Sequence, residues 1–410
     1  MSDIRVCTIT FDWYPFDPLV RRIAEAAIDG GYEMDVICLR QRGEKSHEVC
    51  NGVQVYRVPM DRGFGKSLFS TLLSWCWFIV LASVKVTLLH LRRRYAVIHV
   101  HNMPDFLVFA ALVPRLSGAK VVLHIQDVSP ELLTAKSGGK RNALVYRLAI
   151  WQERLSTAFA QHVITVGTPF ERLLLQRGVP PQKMTIILNS ADPRIFPAAR
   201  RAAAPPIASN PDRPFILMYH GTVAERNGLD TAVRALALVQ HEIPQVRLDI
   251  QGRGEYLEVV KQLAEELGAG ERVVFTPPCP SERIVDFVVH GDVGIIPYRS
   301  DGFMELVLPT KAYEFAWMQR PIIASDTPAI RSMFRSESME LCDPTQPESW
   351  AAAIIDLYRH PQKRVRMVAS AAEDYQSYQW EVMAHRYQQL IALLSQKRLV
   401  GSLTTVSREG

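Results

Sequence analysis

The chain has little that would place it in a specialised class. It has no C-x-x-C pair: its six cysteines, Cys7, Cys38, Cys50, Cys76, Cys279 and Cys342, are scattered. That usage fits reduced thiols in a cytosolic setting better than a disulfide scaffold. It has no large excess of one charge. The 47 basic and 42 acidic side chains leave +5, too small and too diffuse to argue for nucleic acid. It shows no internal repeat and no signal peptide, since Ile4 to Phe11 is a short strand-like run without a basic flank or cleavage site. It has no acidic D-x-D at a strand end, so no metal ligand set is expected. The Gly252-x-Gly254 turn lacks a third glycine, which argues against a dinucleotide fingerprint.

What is present is ordinary globular material. The 410 residues are 48% apolar and 22% charged, enough for two or three domains with full cores. Strand-like runs at Ile4–Phe11, Met34–Leu39, Val53–Val58, Ala96–His101, Lys120–Ile125, His162–Val166 and Met184–Leu188 alternate with helical patterns. That alternation predicts a parallel α/β sheet. Residues 198–213 are rich in Ala, Pro, Arg and Ser and read as a linker. A second α/β unit starts at Phe215, with its strand running into Gly221-Thr222. The closing helices reach Leu394, and the tail from Lys397 reads as disordered.

The stretch from Asp301 to Asp326 is the most suggestive. An apolar run, Val293 to Pro297, reads as a buried strand before it. Pro309 at the first helical position then opens a helix through Thr310 and Lys311, with Glu314 one turn on and an end near Gln319. Free N–H groups, a hydroxyl and an ammonium at a helix start suit a phosphate. A carboxylate one turn further suits a pair of sugar hydroxyls. The competing reading is a helix with one exposed Lys–Glu pair at i,i+3. Polar residues at the carboxyl ends of parallel strands face the ligand crevice of open sheets. That rule singles out His101, Asp105, His124, Asp127 and Glu131, each of which also suits a loop or a helix cap.

Ser67 to Leu91 is the longest hydrophobic run. It is long enough to cross a bilayer, but Lys85 and His90 interrupt it. Trp75, Trp77 and Arg92-Arg93-Arg94 suit a helix lying at an anionic membrane surface; a helix buried against the sheet is the other reading.

Taken together, the motifs resemble the GT-B glycosyltransferases of the large retaining family 4, with its RfaB-like and WcaI-like members. In the first half the matching residues are Trp13-Tyr14-Pro15 with Asp17-Pro18-Leu19, the H-V-H-N-M-P-D strand end at 99–105, H-I-Q-D-V-S-P-E at 124–131 and N-S-A-D-P-R-I-F at 189–196. In the second half they are G-T-V-A-E-R-N-G-L-D at 221–230, Q-G-R-G-E at 251–255, G-D-V-G-I-I-P-Y at 291–298 and L-P-T-K-A-Y-E-F-A at 308–316.

The resemblance implies two Rossmann-like domains with parallel sheets facing a central cleft. Residues 1–197 would bind the acceptor and 214–378 the sugar nucleotide. A last helix, 379–396, would cross back to the N-terminal domain, followed by a flexible tail. It implies transfer of a sugar from a UDP- or GDP-linked donor to a glycolipid or glycan acceptor in polysaccharide, O-antigen or exopolysaccharide synthesis. No cofactor and no metal are expected. The setting would be cytoplasmic, with peripheral contact at the inner face of the membrane. Gly221, Thr222, Arg226, Gly252, Pro309, Thr310, Lys311 and Glu314 would hold the donor. Tyr14, Asp17, His101, Asp105 and Glu131 would face the acceptor, and His124, Asp127, Arg226 and Lys311 would serve the chemistry.

Three departures from the family pattern stand out. The first glutamate of E-x7-E would fall at Leu306, with Glu305 one residue off register. The usual basic pair falls at Thr222 and Asn227, leaving Arg226 and Lys311 as substitutes. The usual Gly-Gly loop is replaced by Phe16-Asp17-Pro18-Leu19. Two other readings therefore stay open, an inactive scaffold of a glycan assembly complex and a sugar-nucleotide epimerase of the same fold.

Overall fold

The structure, a computed structural model, describes residues 4–61, 68–136, 142–202 and 213–406. The chain divides into two compact units, Met1–Leu188 with Glu381–Gly410, and Asn189–Trp380.

The first unit is built on an eight-stranded sheet. In chain order its strands are β1 (Arg5–Ile9), β2 (Glu33–Leu39), β3 (His47–Cys50), β4 (Val53–Val58), β5 (Val97–His101), β6 (Lys120–Ile125), β7 (His162–Thr165) and β8 (Met184–Ile186). In space the order is β3-β4-β2-β1-β5-β6-β7-β8. Every pairing is parallel except β3 with β4. The central strands β1, β5 and β6 are buried almost throughout, as in a sheet covered on both faces, and the polar Thr8, His99, His101 and His124 are buried along with the apolar residues. The antiparallel edge strand β3 has no counterpart in the sequence reading. It alternates exposed and half-buried residues and carries His47 and Glu48, so no apolar run announces it.

The helices of this unit are α1 (Pro18–Asp29), α2 (Leu68–Arg93), α3 (Leu112–Leu116), α4 (Ser129–Lys136), α5 (Ala143–Phe159) and α6 (Thr168–Gln176). A 3-10 turn, Asp105–Ala111, leads directly into α3. Of the Ser67–Leu91 run, Ser67 lies outside the described residues.

The second unit carries α7 (Ala198–Ala202) and a six-stranded parallel sheet. Its strands are β9 (Phe215–Thr222), β10 (Val246–Arg253), β11 (Val273–Thr276), β12 (Val293–Ile296), β13 (Ile322–Ser325) and β14 (Glu340–Cys342), ordered β11-β10-β9-β12-β13-β14. Its further helices are α8 (Leu229–Val239), α9 (Leu257–Glu266), α10 (Ile284–His290), α11 (Thr310–Trp317), α12 (Pro328–Arg331), α13 (Pro347–Arg359) and α14 (Pro361–Gln376). Strand order reverses between β9 and β12, so the carboxyl ends of these two strands open the crevice where such sheets bind ligands.

Residues 189–197 group with the second unit rather than the first. The Ala191 N–H donates to Tyr375 Oη at 2.9 Å, and the Phe196 carbonyl accepts from Trp317 Nε1 at 2.7 Å. Residues 203–212 of the expected linker lie outside the described residues, and 198–202 are helical.

The last helix, α15 (Trp380–Val406), belongs to the first unit from Glu381 onward. Met383, Tyr387, Leu390, Ile391 and Leu394 are buried at helical spacing. Tyr387 Oη lies 2.9 Å from His99 Nδ1, and Gln388 Nε2 donates to the Ala26 carbonyl at 2.9 Å. Disorder expected from Lys397 is replaced by helix as far as Val406, while 407–410 lie outside the described residues.

Candidate functional site

In the second unit, the residues expected around the donor do converge. β9 ends in Tyr219, His220, Gly221 and Thr222. Gly221 adopts φ +116°, a conformation that a side chain would strain. The matching register position on β10 is Gly252, where a Cβ would stand 1.9 Å from the Gly221 carbonyl oxygen. Gly252 therefore has a packing role: it lets β10 close against β9, and its absent side chain is used by the protein itself. Further on, a 3-10 turn over Glu225–Asn227 leads to Gly228, whose Cβ would stand 1.8 Å from the Pro297 carbonyl oxygen. This close approach brings the turn onto the end of β12. The Arg299 N–H bonds the Arg226 carbonyl at 3.0 Å and fixes the Arg226 backbone there, with the Arg226 side chain in solvent.

α11 supplies the other half. Pro309 is the N-cap residue rather than the first helical one, and no side chain caps the helix. The proline ring fixes the entry, and the first N–H groups of α11 are left without a side-chain acceptor. Thr310 is half-buried at the first position. Lys311 turns inward and is 5% exposed. Its Nζ lies 3.8 Å from the Tyr219 ring centroid, 5.1 Å from the Tyr298 ring centroid and 3.5 Å from Tyr298 Oη. It would also lie 3.7 Å from a Cβ at Gly221, so the ammonium sits directly beside the turn.

Burial lowers the Lys311 pKa to about 7, against a raising pull from Glu314. Aromatic faces offer part of the lost solvation but no counter-charge at bonding distance. Burial raises the Tyr219 and Tyr298 phenols, and Arg226 pulls both back down, which puts its guanidinium within electrostatic reach of the same spot. The exposed Lys–Glu pair considered as the plain alternative does not exist. Lys311 is buried, and Glu314 instead meets His220, Oε2 to Nε2 at 3.1 Å, without hydrogen-bond alignment.

The arrangement can hold an anion between Lys311, Arg226 and the start of α11. Glu314, with its side chain 19% exposed, is left to accept hydrogen bonds one turn further in. Glu305 is engaged elsewhere, where it bonds Ser300 Oγ and its carbonyl accepts from the Ala329 N–H at 3.1 Å.

The first-unit residues come out differently. His101 and His124 lie side by side across β5 and β6, and with His99 they form a buried stack. Ring centroids are 4.4 to 5.3 Å apart, with interplanar angles of 15 to 35°. Burial holds all three neutral; it lowers His101 to about 3 and takes His99 and His124 well below the usual range. Their nitrogens lie within 4.8 Å of one another, and this is the one such His/Cys/Asp/Glu group among the described residues. His124, expected at the reacting centre, has no exposed surface and no partner on either ring nitrogen.

Several residues expected to face the acceptor have structural roles instead. Tyr14 is fully buried, with its carbonyl accepting from Arg57 at 3.0 Å. Asp17 caps α1, accepting from the Leu19 and Val20 N–H groups at 2.8 and 3.0 Å. Asp105 is a buried clamp, held by Asn102 at 2.7 Å, by Ser129 at 3.0 and 3.1 Å and by Gln152. Glu131 accepts from Tyr146 at 2.8 Å and pairs with Arg177. Asp127 is half-buried in the loop after β6, where its carbonyl accepts from Asn102 Nδ2 at 2.6 Å. α4 begins only at Ser129.

Three donor-side residues were not anticipated: His220, Tyr219 and Tyr298. Each carried a signal. The two tyrosines end the hydrophobic runs that form β9 and follow β12, and His220 immediately precedes the glycine turn.

Residues 18–190 match the family described as "Glycosyl transferase 4-like domain" and residues 201–374 match "Glycosyl transferases group 1". A curated relative, the D-inositol 3-phosphate glycosyltransferase of Thermobispora bispora, is 24% identical over 55% of this chain and 54% of its own length. The GDP-mannose-dependent alpha-(1-6)-phosphatidylinositol monomannoside mannosyltransferase of Mycolicibacterium smegmatis is 27% identical over 44% of this chain and 48% of its own. The chain thus spans about half the length of these relatives. Among solved structures, the sucrose-phosphate synthase of Thermosynechococcus elongatus superposes with a TM-score of 0.74 at 20% identity, covering 95% of this chain and 99% of that one. Two parallel-sheet units, a glycine turn facing a buried lysine at a strand-order reversal, and matches across both units lead to one assignment: the chain belongs to the glycosyltransferase families of the GT-B fold, with a glycosyl transferase 4-like domain followed by a group 1 domain.

Proposed function

We propose that this protein is a retaining glycosyltransferase that moves a sugar from a nucleotide-diphosphate donor to a lipid-linked or envelope-glycan acceptor. The observation that carries the reading is the buried Lys311 ammonium beside Gly221, with Arg226 and the uncapped start of α11 close to it and Glu314 one turn on. A leaving diphosphate gathers negative charge as the glycosidic bond breaks. The Lys311 ammonium and the first N–H groups of α11, already fixed around that position, stabilise it without reorganising. Glu314 then receives the ribose hydroxyls, for which its pairing with His220 has to open. No metal is needed to neutralise the diphosphate in this scheme. With His124 buried and unexposed, the acceptor proton passes to a leaving-phosphate oxygen rather than to an imidazole. The Mycolicibacterium relative, named for GDP-mannose and a phosphatidylinositol acceptor, supports a nucleotide-sugar donor and a lipid-linked acceptor.

The test is a thermal-shift screen against UDP, GDP and ADP, followed by donor turnover with and without excess chelator. A bound nucleotide at 100 times its dissociation constant raises stability by about 2.7 kcal/mol. Turnover should persist in chelator. Loss of turnover that magnesium or manganese restores would refute diphosphate neutralisation by the protein alone, and no shift with any nucleotide would refute the donor site.

A further inference from the structure

In the first unit, α2, α3 and α5 each leave an apolar face in solvent. On α2, Leu73, Trp77, Val80, Val84, Leu88 and Leu91 recur every third or fourth residue and are 51 to 65% exposed. On α3, Leu112 and Leu116 are exposed; on α5, Leu144, Leu148, Trp151 and Leu155 repeat the same spacing. α2 and α5 both pack on the 3-10 turn Asp105–Ala111, and α2 packs on α3, so the three helices are grouped around that turn. An apolar patch of this extent is uncommon on a soluble monomer without a partner.

α2 passes the test of length and composition for a membrane span over Ser70–Arg93, with mean hydropathy 2.0. Its opposite side shows that it does not cross. Phe78, Ala82 and Val86 are buried, and Phe78 meets Phe11 edge-on at 5.1 Å. Near the end of α2, His90 bonds Ser117 at 2.6 Å, and Arg93 pairs with Glu33 at 2.8 Å and with Asp35 at 3.2 Å. Fastened to the sheet along its length, α2 can offer a bilayer only its outer side, lying flat.

The charges select the occupant. Neither α2 nor α3 contains an acidic residue, and the one acid on α5, Glu153, is buried against Arg177 at 2.7 Å. Exposed Arg92, Arg147 and Arg154 border or interleave the apolar side chains and make no ion pair among the described residues. A second copy of this surface would set cations against cations. An anionic lipid surface takes both the apolar side chains and the guanidinium groups.

We propose that the outer face of α2, α3 and α5 docks the protein flat on an anionic bilayer. This deepens the transferase reading, on which it rests for its purpose, by placing the enzyme at a lipid-linked acceptor. The experiment is flotation of the purified full chain with phosphatidylcholine vesicles and with phosphatidylcholine–phosphatidylglycerol vesicles, at low and high salt. Leu88→Glu/Trp151→Glu and Arg92→Glu/Arg147→Glu/Arg154→Glu variants run beside the wild type.

The expected result is binding to the anionic vesicles that weakens in salt and falls by about tenfold or more in each variant. Wild type that stays unbound, or floats as well as both variants do, overturns the proposal. So does a dimer in solution that the apolar variant abolishes while vesicles are ignored. Nucleotide binding, measured by calorimetry on the same samples, reads the second unit alone. Circular-dichroism melting of the same samples reports that the first unit of each variant is folded, and absence of nucleotide binding beside intact vesicle binding would sink the transferase reading and leave the docking surface standing.

Discussion

Lys311 makes donor affinity a function of pH in a range where sugar nucleotides themselves do not titrate. With its pKa lowered to about 7 by burial, the ammonium is about 90% protonated at pH 6 and about 3% at pH 8.5. A diphosphate at this position favours the charged form, so binding above pH 7 must draw a proton from solution. The cost of that proton makes affinity fall about thirtyfold between pH 6 and pH 8.5, close to 2 kcal/mol. The assay is calorimetric titration with the intact nucleotide-diphosphate sugar, which has no terminal phosphate to titrate, across this range in two buffers of different ionisation enthalpy. Proton uptake should rise from about 0.1 at pH 6 toward about one at pH 8.5. Lys311→Met should bind at every pH about as weakly as wild type does at pH 8.5, and Lys311→Arg should flatten the profile because guanidinium stays charged. The titration is repeated in a His220→Gln background, which removes the imidazole beside Glu314. Constant affinity and no proton uptake over the whole range would refute the placement of the diphosphate at Lys311.

Glu314→Gln keeps the shape and removes the charge, so donor affinity should fall about tenfold or more. Glu305→Gln should do much less, because Glu305 bonds Ser300 and braces the Ala329 turn; calorimetry giving the reverse order would move the ribose to Glu305. The histidine stack should make the first unit acid-sensitive. Its folded-state pKa values lie below the unfolded 6.5, so stability is complete above pH 6.5 and is lost as pH falls toward the folded values, near 3 for His101. Each histidine contributes up to about 1.4 kcal/mol per pH unit across that window. Hydrogen exchange of the β5 and β6 amides at pH 7 and pH 5 should show the loss, and His124→Leu should lessen it; equal protection at both values would count against neutral burial.

The sequence by itself determined the alternation of strands and helices, because continuous apolar runs bounded by glycine and proline leave few other solutions. It also determined the neighbourhood of Lys311 and Glu314, since a proline-opened helix start after a buried strand is a local pattern. Whether those two side chains form an exposed pair was decided by packing: Tyr219 and Tyr298 arrive from two different strand ends and enclose the ammonium. Periodicity along one helix carries no record of them. Packing likewise turned His124, Asp105, Glu131 and Tyr14 from crevice candidates into stack, clamp and core, because a polar residue at a strand end looks the same in sequence whether it meets solvent or a neighbour. The hydrophobic run of α2 was plain in the sequence, and only the sheet beneath it shows which half of that helix is left to face outward.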